Sequence, residues 1–95
     1  MCQRQDSRLA IMSILVYDRI QAKKVNELLH EFGDRIVGRM GLPYKDRDLS
    51  VICVVMDATN DEIANVSGRL GRLEGVTCKV LYAKNRQEQS KSNEA

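Results

Sequence analysis

A chain of 95 residues, 43% of them hydrophobic, has the composition of one folded domain with a thin core, and further burial through self-association is expected. Fifteen Lys and Arg against thirteen Asp and Glu leave a net charge of +2, too balanced to predict direct nucleic-acid binding on charge alone. No apolar run approaches the roughly 20 residues of a membrane-spanning helix, and Met1 to Ser7 read as a polar, flexible N-terminus without a signal-peptide core, so a cytoplasmic location without membrane contact is expected.

The first predicted strand is Leu9 to Tyr17, apolar on both faces apart from Ser13. Asp18 is placed to cap the helix that follows, in which Ala22, Val25, Leu28, Leu29 and Phe32 recur at three- and four-residue spacing. Gly33 reads as its left-handed C-terminal stop. A second strand, Arg35 to Leu42, is halted by Pro43. Simple alternation puts Ile36, Gly38, Met40 and Leu42 on one face and Arg35, Val37, Arg39 and Gly41 on the other. Lys45-Asp46-Arg47-Asp48 is a polar turn before the third strand, Leu49 to Met56. Thr59-Asn60-Asp61-Glu62 reads as a capping box, opening a helix that buries Ile63, Val66, Leu70 and Leu73. Gly75 closes the next loop, Val76 to Ala83 is the fourth strand, and residues 85–95 read as a disordered tail after a domain spanning 8–84.

The order β-α-β-β-α-β is that of an α+β, ferredoxin-like domain with a four-stranded antiparallel sheet. The first and third strands are apolar on both faces, while the second and fourth alternate, with Arg39 and Lys79 on their polar sides. Central strands lose both faces to burial and edge strands carry charge, which predicts the sheet order 4-1-3-2. Two helices cover only one face of such a sheet. The other must expose either Leu9, Ile11 and Leu15 or Ala10, Met12, Ile14 and Val16, together with residues of the third strand. A homo-oligomer, dimer or tetramer, that covers this face or joins sheet edges is expected.

The chemistry-bearing residues mostly have structural readings. His30, the one histidine, falls in the last turn of a helix, where a partly cationic ring complements the helix dipole. Of the three cysteines, Cys53 and Cys78 lie within apolar strands as small hydrophobes, and no C-x-x-C pair suggests a disulfide or a self-contained metal site. Asp57, Asp61 and Glu62 gather where a helix begins, and capping accounts for them. Gly68-Arg69-Leu70-Gly71 lies near a helix end and lacks the strand-turn-helix setting of a phosphate loop. Arg35 and Arg39 are more open: as edge-strand charges they need no further role, yet Gly38 and Gly41 leave room for an anion to approach, and Tyr44 adds a stacking or hydrogen-bonding tip.

The segment Val25 to Tyr44, which contains the string Ile36-Val37-Gly38-Arg39-Met40-Gly41-Leu42-Pro43-Tyr44, closely resembles the small iron-only hydrogenase system regulator proteins. Asp57 to Ile63 and Gly68 to Val76 are similar to the same family, and the resemblance covers nearly all of Arg8 to Lys84. It implies an ACT-like ferredoxin fold and a regulatory role tied to iron-only hydrogenase or its maturation, in anaerobic bacteria. A small-molecule effector or a hydrogenase-related protein is the partner it implies. The loop after the first strand reads Asp18-Arg19-Ile20-Gln21, without the glycine usual in amino-acid-binding ACT domains, and one histidine falls short of a nickel-responsive set. The candidate ligand-binding residues are therefore Asp18, Arg19, Gly38, Arg39, Gly41 and Tyr44; no catalytic residue, metal ligand or cofactor is assigned. No helix-turn-helix or basic arm precedes Leu9, so control of transcription would act through a partner.

Two other functions of the same fold fit less well. An acylphosphatase-type enzyme needs a glycine-rich anion loop with an arginine after the first strand and an asparagine that orients water. Arg19 is present, but the loop has no glycine and Asn60 begins a helix. An RNA-binding sheet needs strand aromatics for base stacking, and the central strands offer only the terminal Tyr17.

Overall fold

The computed structural model describes residues 7–84. Ser7 opens the first strand; the rest of the expected flexible N-terminus and the expected tail at 85–95 lie outside the described residues. The elements run β1 (Ser7–Val16), α1 (Ala22–Glu31), β2 (Ile36–Tyr44), β3 (Leu49–Thr59), α2 (Asn60–Gly71) and β4 (Val76–Tyr82). Short 3-10 turns at Arg19–Gln21, Gly33–Arg35 and Lys45–Arg47 join them. All strand pairs are antiparallel and the sheet order is β2-β3-β1-β4, the expected order read from the opposite edge.

The helices pack on the face formed by Ala10, Met12, Ile14 and Val16 of β1 and Ile52, Val54, Met56 and Ala58 of β3. Register explains why these residues share a face: Ala10 lies opposite Met56, Met12 opposite Val54 and Ile14 opposite Ile52. Val25, Leu28 and Leu29 of α1 and Ile63, Val66 and Leu70 of α2 complete the core. Each large side chain buried there contributes about 1.5–3 kcal/mol of transfer free energy. Leu73 lies beyond the end of α2 yet still packs against the core from its loop.

Caps and turns follow the local chemistry with one exception. The Asp18 carboxylate accepts from the Ile20 N–H at 3.0 Å, capping the 3-10 turn that leads into α1. The capping box on α2 is complete: Glu62 N–H donates to Thr59 Oγ1 at 3.2 Å, and Thr59 N–H donates to Glu62 Oε1 at 2.9 Å. Gly75 sits at φ +75°, and a Cβ there would come within 2.8 Å of Asp18 Cβ. The Tyr17 N–H donates to the Gly75 carbonyl at 2.7 Å, so the loops before α1 and before β4 close on one another. Gly33 is the exception. Instead of a left-handed stop, α1 ends at Phe32 (φ −105°, ψ 24°), and Gly33 opens a 3-10 turn that runs directly into β2.

Two expectations for β2 need correction. The strand is not halted by Pro43; it continues to Tyr44, with Pro43 opposite Ser50. An edge strand tolerates proline because one side of its backbone ladder has no partner to lose. The simple alternation also fails. Ile36 pairs with Met56 and Gly38 with Val55, so Val37 is an extra residue in a β-bulge. From Gly38 onward every side chain is switched to the face opposite to the one that continuous alternation from Ile36 assigns. Ile36 packs on the helix side, while Gly38, Met40, Leu42 and Tyr44 share the open face with Val55, Cys53, Val51 and Leu49. Arg39 and Gly41, opposite Val54 and Ile52, lie on the helix side.

Candidate functional site

The six candidate residues do not converge. Asp18 is used structurally, capping the 3-10 turn and packing against Gly75. Arg39 reaches from β2 toward α1, where its guanidinium donates to Asn26 Oδ1 at 2.7 Å. Asn26 in turn donates to the Ala22 carbonyl, so Arg39 ties the edge strand to the first turn of α1. Gly38 faces the open side of the sheet and Gly41 the helix side, with nothing within 4 Å of a Cβ built on either. Arg35 lies in the 3-10 turn before β2 and pairs with Glu62 at 3.0 Å, linking that turn to the capping box.

Arg19 and Tyr44 do meet. They line a shallow cleft of about 320 Å³ with Val16, Ala22, Pro43, Lys45, Asp48, Leu49 and Ser50. This volume is at the lower end of small-molecule sites. Val16, Ala22 and Leu49 give it apolar walls. Its rim carries Arg19, Lys45 and Asp48, with Arg19 and Asp48 paired at 3.3 Å on the exposed surface. Such a pair is screened and weak, so its partners can exchange it for a ligand at little cost. The left-handed Asp48 (φ 52°) turns the chain from the 3-10 segment into β3 and so sets one wall of the cleft. Asp48, Lys45 and Ser50 are cleft residues that sequence reasoning missed. In the sequence, Lys45 and Asp48 present themselves only as turn formers.

The thiols occupy opposite faces. Cys78, opposite Ile14, lies on the helix side with its Sγ 3.9 Å from Met12 Sδ, and burial pushes its thiol pKa up. Cys53, opposite Ser13 and Met40, lies mid-sheet on the open face. The sheet therefore keeps these two thiols from any common site. His30 is exposed in the last turn of α1. Among the described residues no three His, Cys, Asp or Glu side chains gather as a metal site. No helix among them is long and apolar enough to cross a membrane.

The open face is the other prominent feature. Of the two sets of β1 residues that could face outward, it is Leu9, Ile11 and Leu15 that do. Val51, Cys53 and Val55 of β3 lie beside them, with Met40, Leu42 and Tyr44 on one edge and Leu81 on the other. Lys79, opposite Ser13, and Asp57, opposite Leu9, are the charged side chains at these register positions.

Comparison with known proteins places this arrangement. Residues 8–80, from the start of β1 nearly to the end of β4, match the model of the TM1266-like family, described as "Iron-only hydrogenase system regulator, putative". The chain belongs to that family. A solved structure, that of the uncharacterized protein TM1266 from Thermotoga maritima, superposes with a TM-score of 0.79 at 39% identity. The similarity covers 82% of this chain and 99% of the Thermotoga protein. No curated protein matches the chain. The TM1266-like match takes in both the β2 bulge and the cleft, so neither belongs to an appended segment.

Proposed function

We propose that this protein regulates an iron-only hydrogenase system in the cytoplasm, as an oligomeric, ACT-like module that senses a small effector or binds a hydrogenase-related protein. The observation that carries this reading is the family match, which runs through all six elements of the βαββαβ fold rather than a fragment of it. The strand order and the placement of both helices on one face agree with an ACT-like assignment. Direct DNA or RNA binding is not part of the proposal. Arg19, Arg35, Arg39 and Arg69 are engaged by Asp48, Glu62, Asn26 and Glu31, so these cations are spread over the surface in pairs instead of forming a basic stripe.

For a small effector, the Arg19–Tyr44 cleft is the proposed site. Its paired charges and apolar walls suit a compact ligand carrying a carboxylate or phosphate, which Arg19 and Lys45 would receive. The decisive experiment is deletion of the gene in a host with an iron-only hydrogenase, followed by measurement of hydrogenase activity and maturation-gene transcripts. A change in either is expected, reversed by the wild-type gene. Unchanged activity and transcripts across growth conditions would remove the regulatory reading. A thermal-shift screen of amino acids, nucleotides, S-adenosylmethionine and divalent metals, repeated with Arg19→Ala, tests the cleft: stabilisation lost in the variant supports it, and stabilisation retained moves the effector elsewhere.

A further inference from the structure

The open sheet face is unusual for its continuity. Register arranges its side chains in rows across the strands: Thr77, Leu15, Val51, Leu42; then Lys79, Ser13, Cys53, Met40; then Leu81, Ile11, Val55, Gly38. The β2 bulge makes this possible. Without it Arg39 and Gly41 would stand here, and Met40 and Leu42 would face the helix side. The bulge thus enlarges an apolar surface that the described residues leave uncovered.

We infer that this face is the docking surface for a second copy of the same chain, the two sheets stacking face to face. The inference rests on the oligomeric part of the proposed function and specifies its geometry. Area is the first argument. Leu9, Ile11, Met40, Leu42, Tyr44 and Leu81 are exposed by 39% (Ile11) to 67% (Leu81). At about 200 Å² for a fully exposed large side chain, they present on the order of 600 Å² before half-buried Leu15, Val51, Cys53 and Val55 are added. Two such faces remove at least about 1,200 Å², which reaches the size of a stable interface.

Composition is the second argument. The centre of the face is neutral: its cation, Lys79, sits on edge strand β4, where a long side chain can reach solvent at the rim, and its carboxylate, Asp57, lies opposite Leu9 beyond the last of the three rows. A face of this kind holds no central charge to select an acidic or basic partner, and an extended sheet matches the shape of its own copy. Two sheets pack about 10 Å apart with their strands roughly 30° from parallel, interleaving side chains. Gly38, beside Val55 with open space where its Cβ would be, leaves a notch at the edge of the last row into which a partner side chain can insert. Edge-to-edge joining through β2 or β4 would instead leave this apolar area wet.

Sedimentation and native mass spectrometry of the wild-type chain and the double variant Met40→Glu, Leu81→Glu test the inference. Both positions are exposed, so the variant is expected to keep the wild-type circular dichroism while becoming monomeric. The wild-type chain is expected to dimerise, or to form a dimer of dimers, at tens of micromolar. A second readout does not depend on the variant. Alkylation of Cys53 in the wild-type chain, mapped by peptide mass spectrometry, should slow at least tenfold between dilute and concentrated protein, with Cys78 on the opposite face as the internal reference. A wild-type chain that stays monomeric overturns both the inference and the oligomeric reading. An oligomer that survives the double variant, or whose Cys53 alkylates at a rate independent of concentration, overturns face-to-face stacking alone and assigns assembly to an edge. Neither result touches the hydrogenase-linked role, which the gene deletion tests separately.

Discussion

The two faces of this sheet carry similar residues and meet opposite fates. On one, Ala10, Met12, Ile14 and Val16 with Ile52, Val54, Met56 and Ala58 are sealed beneath two amphipathic helices. On the other, Leu9, Ile11, Leu15, Val51 and Val55 are nearly as apolar, and no layer formed by the described residues covers them. The difference shows that hydrophobicity in a central strand reports two separate demands. One is the intrachain core, which must form for the domain to exist. The other is a surface that remains apolar after folding is complete, and that requires another explanation.

The largest contrast between the faces should appear in truncation mutants. Ile14→Ala or Leu29→Ala, within the core, should each cost about 2–5 kcal/mol in urea unfolding. Leu81→Ala on the open face should change the unfolding of dilute protein by no more than about 0.5 kcal/mol. Equal losses at Ile14 and Leu81 would mean that the open face is covered within the monomer, and the contrast would collapse. Next in size is Gly75→Ala, which forces a Cβ at φ +75° to within 2.8 Å of Asp18. A loss of about 1–3 kcal/mol is expected, because strain and clash act together where the loops close.

Thr59→Ala removes the side-chain half of the capping box and should destabilise by about 1 kcal/mol, with Thr59→Ser restoring most of it. No restoration by serine would assign the loss to the methyl group rather than to the hydrogen bond. The smallest effect separates the thiols. Because burial raises the Cys78 pKa, the unfolded chain ionises this thiol first. Folding stability should therefore be unaffected at neutral pH and decline as pH climbs beyond the ordinary thiol range, a decline that Cys78→Ala removes. Alkylation of Cys78 at neutral pH should also be slow. Rapid modification there would mean that the helix-covered face opens readily.

Much of the fold is legible along the chain because its signals are local. Thr59 and Glu62 announce their cap through three-residue spacing, Val25, Leu28 and Leu29 mark a helix face, and the charge on β2 and β4 marks edges. The site is less legible. Arg39 reads as an available cation until Asn26 is found 2.7 Å away, across an α-β contact that spacing cannot register. The cleft draws Arg19 and Tyr44 from segments distant in sequence, and adds Lys45, Asp48 and Ser50 from a turn and a strand end whose local roles mask any other.

The amino-acid sequence alone determined the element order, the central and edge strands, the Asp18 and Thr59 caps and, through the Ile36 to Tyr44 string, the family. Those properties depend on residue type and short-range period. The tertiary structure decided which apolar set on β1 faces outward, and it moved Met40 and Leu42 to the same open side as Leu9 and Ile11. The physical reason is the bulge at Val37. One unpaired residue leaves residue types and turn signals untouched, yet reverses every side chain after it, and only the pairing with β3 reveals it.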